Sequence, residues 1–336
     1  MKRKISLLLL CAMLLALTAC GQSTPSNQPQ TTDTPTSATA APPEEPTPEP
    51  VEEVPLETVT DPSGATITIP AEVNTIISIA PAISSTIAAL GLGDKVIAYD
   101  TWSVGIEGLP TGLPTFDMVN PDVEQLVAMA PDVLLVSGLA LYDQDSPYQP
   151  LLDAGICVVN LPTSDSIDDV KYDISFIAKV LHAEEAGEAV IDQLNAELDE
   201  LAAIAATIPE EERKTVYFEI SPAPYMYSTN SKTYLGEMIE FVGGINVFAD
   251  DENLWPSISD ESLVERNPDV IFTYTSYIED PVGEIMGRDG WAALTAVVNG
   301  DVYYVDNNSS AQPNQNITIA MRQMAEAMYP DYYTAE

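Results

Sequence analysis

From about residue 59 onward the apolar and polar positions of the chain follow two alternating rhythms. Short runs rich in β-branched and aromatic residues predict strands: TIISIA at 75–80, KVIAY at 95–99, DVLLVS at 132–137 and ICVVN at 156–160. Between them, SSTIAALG at 84–91 predicts a helix closed by glycine. Asn120-Pro121 predicts the start of a helix running to Met129, and residues 147–154 predict another. The alternation is then interrupted. Residues 166–207 read as one long helical region, and in its second part Ala186, Val190, Leu194, Leu198 and Leu201 recur at spacings of three and four. That spacing defines one apolar face, with Glu188, Glu197 and Glu200 on a solvated one and Gly187 as a mild weakness. After this region the strand–helix alternation restarts: TVYFEIS at 215–221, a helix near 233–242, NVFA at 246–249, a helix near 260–266, DVIFTY at 269–274, VYYV at 302–305 and a last helix over 314–328. Strands alternating with helices predict parallel sheet built from βα units.

The restart contains an internal repeat. EQLVAMAPDVLL at 124–135 and ESLVERNPDVIF at 261–272 share Glu, Leu, Val, Pro, Asp and Val at an offset of 137 residues. A weaker echo precedes each copy, VIA before Asp100 and VFA before Asp250. The expected fold class is therefore α/β, with two Rossmann-like lobes of similar plan joined by one long linking helix. The expected division is an N-terminal lobe over 59–165, the linking region over 166–207 and a C-terminal lobe over 208–336.

The first residues follow neither rhythm. Met-Lys-Arg-Lys precedes LLLLCAMLLAL at 7–17, a charged start and an apolar core too short to span a bilayer. This is an export signal over 1–19. Leu17-Thr18-Ala19-Cys20 resembles the lipobox of bacterial lipoproteins, which implies lipidation of Cys20 and a membrane-anchored, extracytoplasmic protein. Residues 21–54 hold eight prolines and seven threonines without apolar periodicity, so 20–58 reads as a lipidated cysteine and a disordered tether. Such a segment reaches roughly 30–35 Å on average. Of the remaining thiols, Cys11 leaves with the signal, and Cys157 in GICVV reads as buried and inert.

Charge and composition then narrow the chemistry. The 336 residues carry 12 Lys and Arg against 52 Asp and Glu, a formal net charge of -40. A surface so acidic repels phosphate backbones, which excludes nucleic acid as a partner. The single histidine, His182, rules out multi-His metal sites and leaves a Ser-His-Asp triad little to draw on. No P-loop and no G-x-S-x-G elbow is present, and GLG at 91–93 follows a helix, not a strand. No catalytic residue, metal site or cofactor is expected. What the strand ends and predicted loops do hold is aromatic: Tyr99 at the end of its strand and Trp102, Phe116 and Tyr142 in loops of the first lobe, with Tyr225, Tyr227, Trp255 and Tyr277 in the second. Loops beyond the strand carboxyl ends build the ligand crevice of parallel α/β sheets, so these eight are the candidate ligand-binding residues. Lys232 and Arg288 are the basic residues expected near the second-lobe loops, with Ser228 and Asn230 as polar partners.

With these segments in hand, the chain resembles the lipoprotein receptors of ABC importers for vitamin B12, ferric siderophores and haem. SIAPAISSTIAALG, NPDVEQLVAMAPDVLLV, the helix after PTSDSIDDV, TYLGEMIEFVGGINVFAD and WPSISDESLVERNPDVIF carry the resemblance. It implies a helical-backbone periplasmic-binding-protein fold, a monomer and modest lobe motion. It also implies that one glutamate on each lobe docks on permease arginines, at Glu124 and Glu261, the residues the repeat isolates. The ligand it implies is a small-molecule metal chelate, a corrinoid ahead of a ferric siderophore, with haem as alternative. The scarcity of basic residues favours a neutral chelate. Two readings of other classes are a hydrolase using Glu124 and Glu261 as its carboxylate pair, and an adhesion or scaffold lipoprotein. The repeat argues against the first, because equivalent positions on two lobes should lie far apart.

Overall fold

The computed structural model describes residues 56–138 and 147–333. The signal, Cys20, the tether and Tyr142 therefore lie outside the described residues. Two short strands, β1 (Thr58–Thr60) and β2 (Thr66–Thr68), open the chain as an antiparallel hairpin that the sequence patterns did not predict. Asp61 closes its turn by accepting from the Ser63 and Ala65 amides, and ties it to the first sheet by accepting from the Asn160 amide at 3.1 Å.

The first lobe follows as β3 (Ile76–Ile79), α1 (Pro81–Ala89), β4 (Val96–Asp100), β5 (Thr115–Phe116), α2 (Val123–Met129), β6 (Val133–Ser137), α3 (Gln149–Asp153) and β7 (Cys157–Leu161). All five strands are parallel, in the order β5-β4-β3-β6-β7. Both faces are covered, so β3 is buried at all four positions, Ser78 included, and β6 at its first four. The helix expected to start at Asn120-Pro121 starts two residues later. Asp117 Oδ1 gathers the Val119 and Asn120 amides into a turn, and Asp122 is the N-cap, accepting from the Gln125 amide at 3.0 Å.

The linking region departs from expectation. It is two helices, α4 (Ile167–Val180) and α5 (Glu184–Ala205), packed on each other. His182 makes the break: it takes a left-handed φ of 54° and its Nε2 lies 2.8 Å from the Pro70 carbonyl oxygen. The pair packs tightly at Gly187, since a Cβ there would stand 2.5 Å from the Ala178 Cβ. The expected apolar face of α5 is present and serves two cores. Ala186 and Val190 pack against the first-lobe core, and Leu194, Leu198 and Leu201 are buried in the second.

The second lobe comprises β8 (Thr215–Glu219), α6 (Tyr234–Phe241), β9 (Ile245–Asn246), α7 (Asp260–Arg266), β10 (Val270–Thr273), α8 (Pro281–Met286), α9 (Thr295–Asn299), β11 (Val302–Tyr304), α10 (Asn307–Ser310) and α11 (Ile317–Met328). Its four parallel strands run in the order β11-β10-β8-β9. The NVFA strand shrinks to Ile245–Asn246, because Asn246 Oδ1 draws the Phe248 amide into a turn.

The repeat is structural. Leu126 and Leu263 are both fully buried, and Ala130 and Asn267 end their helices with left-handed φ of 45° and 43°. Asp132 accepts from the Thr75 amide and hydroxyl, and Asp269 accepts from the same groups of Thr215. Each copy thus ties the start of one strand to its neighbour through one Asp and one Thr.

The helix contact yields a prediction. On propensity alone Gly187→Ala should stabilise α5 by about 1 kcal/mol. The close approach to Ala178 should reverse the sign, with a loss of about 1–3 kcal/mol in urea unfolding.

Candidate binding cleft

In the first sheet, chain order reverses between β3 and β6, the switch point at which open parallel sheets form their crevice. A cavity of about 200 Å³ lies there. It is lined by Ala80–Ile83 after β3, Ser137 at the end of β6, Leu161–Ser164 after β7, and Val170, Asp173, Ile174 and Ile177 of α4. Ala311–Pro313, from the loop after α10, meet it from the second lobe. Gln315 tethers the lobes at this base: its Nε2 donates to the Ser85 carbonyl at 3.2 Å and its Oε1 accepts from the Thr86 hydroxyl. None of the seven aromatics expected in the crevice that fall among the described residues lines this cavity. Its walls were missed because they are small and aliphatic and look like core. The signal that would have found them is position, directly after β3, β6 and β7.

The aromatics separate into two groups. Tyr99 and Phe116 are core side chains, 1% and 3% exposed, so the expectation that they line the crevice is corrected. Tyr99 lies in the same hydrophobic core as Ile83 and Ile87, and its hydroxyl donates to the Pro110 carbonyl. Trp102, Tyr225 and Tyr277 are 73%, 76% and 75% exposed, and Tyr227 and Trp255 are partly covered. Each of these five follows a strand or borders a strand-end loop.

Local networks hold these rings out. After β4, Asp100 Oδ1 accepts from the Trp102 amide at 2.8 Å, and its other oxygen takes the Ser103 hydroxyl. Ser103, Ser84 and Ser78 continue the chain of hydroxyls at 2.8 Å steps, linking the Trp102 turn to α1 and β3. Burial pushes the Asp100 carboxyl above its ordinary value, against the opposing hydrogen bonds from Ser103 and Trp102. In the second lobe the chain folds back after β8. The Ile220 amide donates to the Tyr227 carbonyl, and Tyr227 bridges to Ser257. Trp255 stands edge-on to the buried Tyr234, with centroids 6.3 Å apart.

The polar partners expected for a ligand are occupied. Ser228 and Asn230 are fully buried, donating to the carbonyls of Phe218 and Asp251. Arg288 is 8% exposed and is gripped by Glu219, at 2.6 and 3.1 Å, and by Glu284, while its guanidinium lies 4.1 Å over the Trp291 ring. Two carboxylates on one guanidinium leave it no charge for an anionic ligand. Lys232 is exposed at the start of α6.

Glu124 and Glu261 occupy the second position of α2 and α7, both exposed, behind the N-caps Asp122 and Ser259. A helix that precedes a parallel strand begins at the carboxyl end of its sheet. Both glutamates therefore sit at the end of their sheet where the crevice opens.

The comparisons with known proteins agree with this geometry. Residues 76–309 match the profile of the family described as periplasmic binding protein. The chain belongs to the periplasmic binding protein family. Members of this family are the substrate-binding receptors of ABC transporters. It is 30% identical over 267 residues to the uncharacterised ABC transporter substrate-binding lipoprotein YvrC of Bacillus subtilis, covering 80% of this chain and 83% of that one. It is 26% identical over 279 residues to a cobalamin-binding protein of Halobacterium salinarum, covering 78% and 71%. Among solved structures, a possible iron-binding periplasmic solute-binding protein of Staphylococcus epidermidis superposes with a TM-score of 0.67 at 25% identity, covering 77% and 99%. Among the described residues of this periplasmic binding protein, no helix is long and apolar enough to cross a membrane, and no cluster of His, Cys, Asp or Glu is placed to hold a metal ion.

Asp173 gives the cavity a titration signature. Burial pushes its carboxyl up to about 6, with Asp169 adding to the rise and the Ser164 hydroxyl opposing it. Between about pH 4 and pH 6 the folded chain keeps a proton that the unfolded chain has lost, so stability falls as pH rises through that window. Above pH 6 the full cost remains, about 1–3 kcal/mol. Asp173→Asn should therefore raise the melting temperature at pH 7.5, and the gain should vanish below about pH 4.

Proposed function

We propose that this protein is a lipid-anchored, extracytoplasmic receptor that captures a neutral metal chelate, a corrinoid ahead of a ferric hydroxamate, and delivers it to an ABC permease dimer. The observation that carries the ligand reading is the pairing of exposed aromatic rings with a locked guanidinium. Trp102, Tyr225, Tyr227, Trp255 and Tyr277 offer faces and edges for an apolar macrocycle. Arg288, the buried cation beside the second-lobe loops, is committed to Glu219 and Glu284. Tri-catecholate siderophores and haem propionates call for several cations, and with Arg288 committed the second-lobe loops offer a single exposed lysine, Lys232. The cobalamin-binding relative supports the same choice.

The docking role of Glu124 and Glu261 follows from their equivalence. Two carboxylates in matching positions on two lobes suit the two subunits of a symmetric permease. They orient the dock more than they tighten it.

Titration of the purified protein with cyanocobalamin, a ferric hydroxamate, a ferric catecholate and haem tests the ligand. The neutral chelates should bind, and Trp102→Ala or Trp255→Ala should weaken them by roughly 1–4 kcal/mol. Tight binding of the catecholate or haem, with none for the neutral pair, would refute the charge argument. In cells, the Glu124→Arg, Glu261→Arg double variant should keep ligand affinity and lose uptake, and normal uptake at saturating ligand would remove the docking role. Cys20→Ala should release soluble protein or leave precursor. Processed protein that still fractionates with membranes would contradict the anchor.

A further inference from the structure

The cavity at the base of the cleft carries chemistry that the aromatic rim lacks. Its walls are mostly apolar: Ala80, Ile83, Leu161, Ile174, Ile177 and Pro313 are among them. Into these walls the fold sets Asp173, whose hydrogen-bond partner among the described residues is the neutral Ser164 hydroxyl at 2.7 Å. Among the described residues, no Lys or Arg lines the cavity or the groove that shares Asp173 with it, where Asp61, Asp165 and Asp169 stand. A carboxylate set among apolar groups is costly unless a cation or several donors meet it. The Ser137 Oγ, in the same wall, is buried without a hydrogen-bond partner among the described residues. One carboxylate that no cation meets and one hydroxyl without a partner among the described residues therefore share a largely apolar chamber.

The size of the chamber limits what enters. At about 200 Å³ it falls below the roughly 300 Å³ at which pockets for whole drug-sized ligands begin. A corrin or a ferric siderophore does not fit inside, whereas a short alkyl chain does. The surrounding field, from a formal net charge of -40, draws cations and repels anions.

We propose that this cavity is a binding subsite for a primary alkylammonium group, its –NH3+ bonded by Asp173 and Ser137 and its chain packed on Ile83, Ile174 and Ile177. The ammonium is either a small free amine or the arm of a larger cargo, and the cavity recognises the same chemistry in both. The retention of Asp173 follows, since the buried charge that weakens the empty fold is the charge that selects the ligand. The site rests on the cavity alone and holds whatever chelate the rim takes.

The test is an NMR shift titration of the protein at pH 7.5 with n-butylammonium, n-butanol and butyrate. Wild type should bind n-butylammonium at least tenfold more tightly than either isostere. Asp173→Asn keeps an acceptor for Ser164 and should abolish that preference, while circular dichroism shows it folded. Ser137→Ala should weaken n-butylammonium severalfold. Equal affinity for n-butylammonium and n-butanol would overturn the proposal. So would an unchanged preference in Asp173→Asn, because general attraction to an acidic surface survives that substitution. A ferric hydroxamate bearing a pendant aminoalkyl arm, compared with its N-acetylated form, separates the two sources: displacement of n-butylammonium by the free amine form alone marks the arm of a cargo, and coexistence marks a free amine. Failure of either chelate to bind at all bears on the chelate and leaves the n-butylammonium result standing.

Discussion

The antiparallel pair α4 and α5 is the constraint on which the rest of the molecule depends. Ile167, Val170 and Ile174 of α4 belong to the second-lobe core, while Phe176, Ile177 and Val180 of the same helix belong to the first. The 22 residues of α5 span about 33 Å and repeat this division along one face. Two cores that share both helices cannot separate without exposing apolar surface to water. The Gln315 bonds to Ser85 and Thr86, and the Ile167 amide donating to Glu237 at 2.7 Å, fasten the same junction with polar contacts. The crevice floor is therefore fixed by packing, and the rim loops are the parts left to adjust.

Much of the fold was legible in the sequence because the strong signals were long-range and periodic. TIISIA and DVLLVS became β3 and β6, and the spacing of Leu194, Leu198 and Leu201 marked the buried face of α5. The break at His182 was not legible, since neither Pro nor Gly marks it. It depends on a tertiary bond to Pro70 and on helix contact at Gly187. The hairpin of β1 and β2 has three-residue strands, too short for a periodic pattern, and exists because Asp61 reaches β7.

The site was less legible than the fold. Aromatic residue type located Trp102, Tyr225 and Tyr277 on the surface but did not separate them from Tyr99 and Phe116, whose rings fill the core. A ring beside a strand end can point outward or inward, and sequence spacing over a loop does not decide which. Ser228 and Asn230 illustrate the same limit, since each spends its donor on a backbone carbonyl. Arg288 was identifiable as basic, but its neutralisation required Glu219, 69 residues away, to end β8 beside it. The cavity floor was hidden because Ala80, Ile174 and Leu161 carry no chemical signature.

These facts describe a receptor in which a rigid helical frame presents two rims of loops, one per sheet, to a cargo and a partner. The frame is the central claim, and a distance between the lobes measures it directly. Glu124 and Glu261 are exposed on the two lobes and Cys157 is buried, so spin labels at Glu124→Cys and Glu261→Cys report lobe separation in the mature protein. Double electron–electron resonance should give one narrow distance distribution in the unliganded protein. With saturating cyanocobalamin it should shift by no more than about 2–4 Å, the scale of loop adjustment. A broad or bimodal distribution, or a shift on the order of 10 Å as in hinge closure, would contradict the shared-core frame.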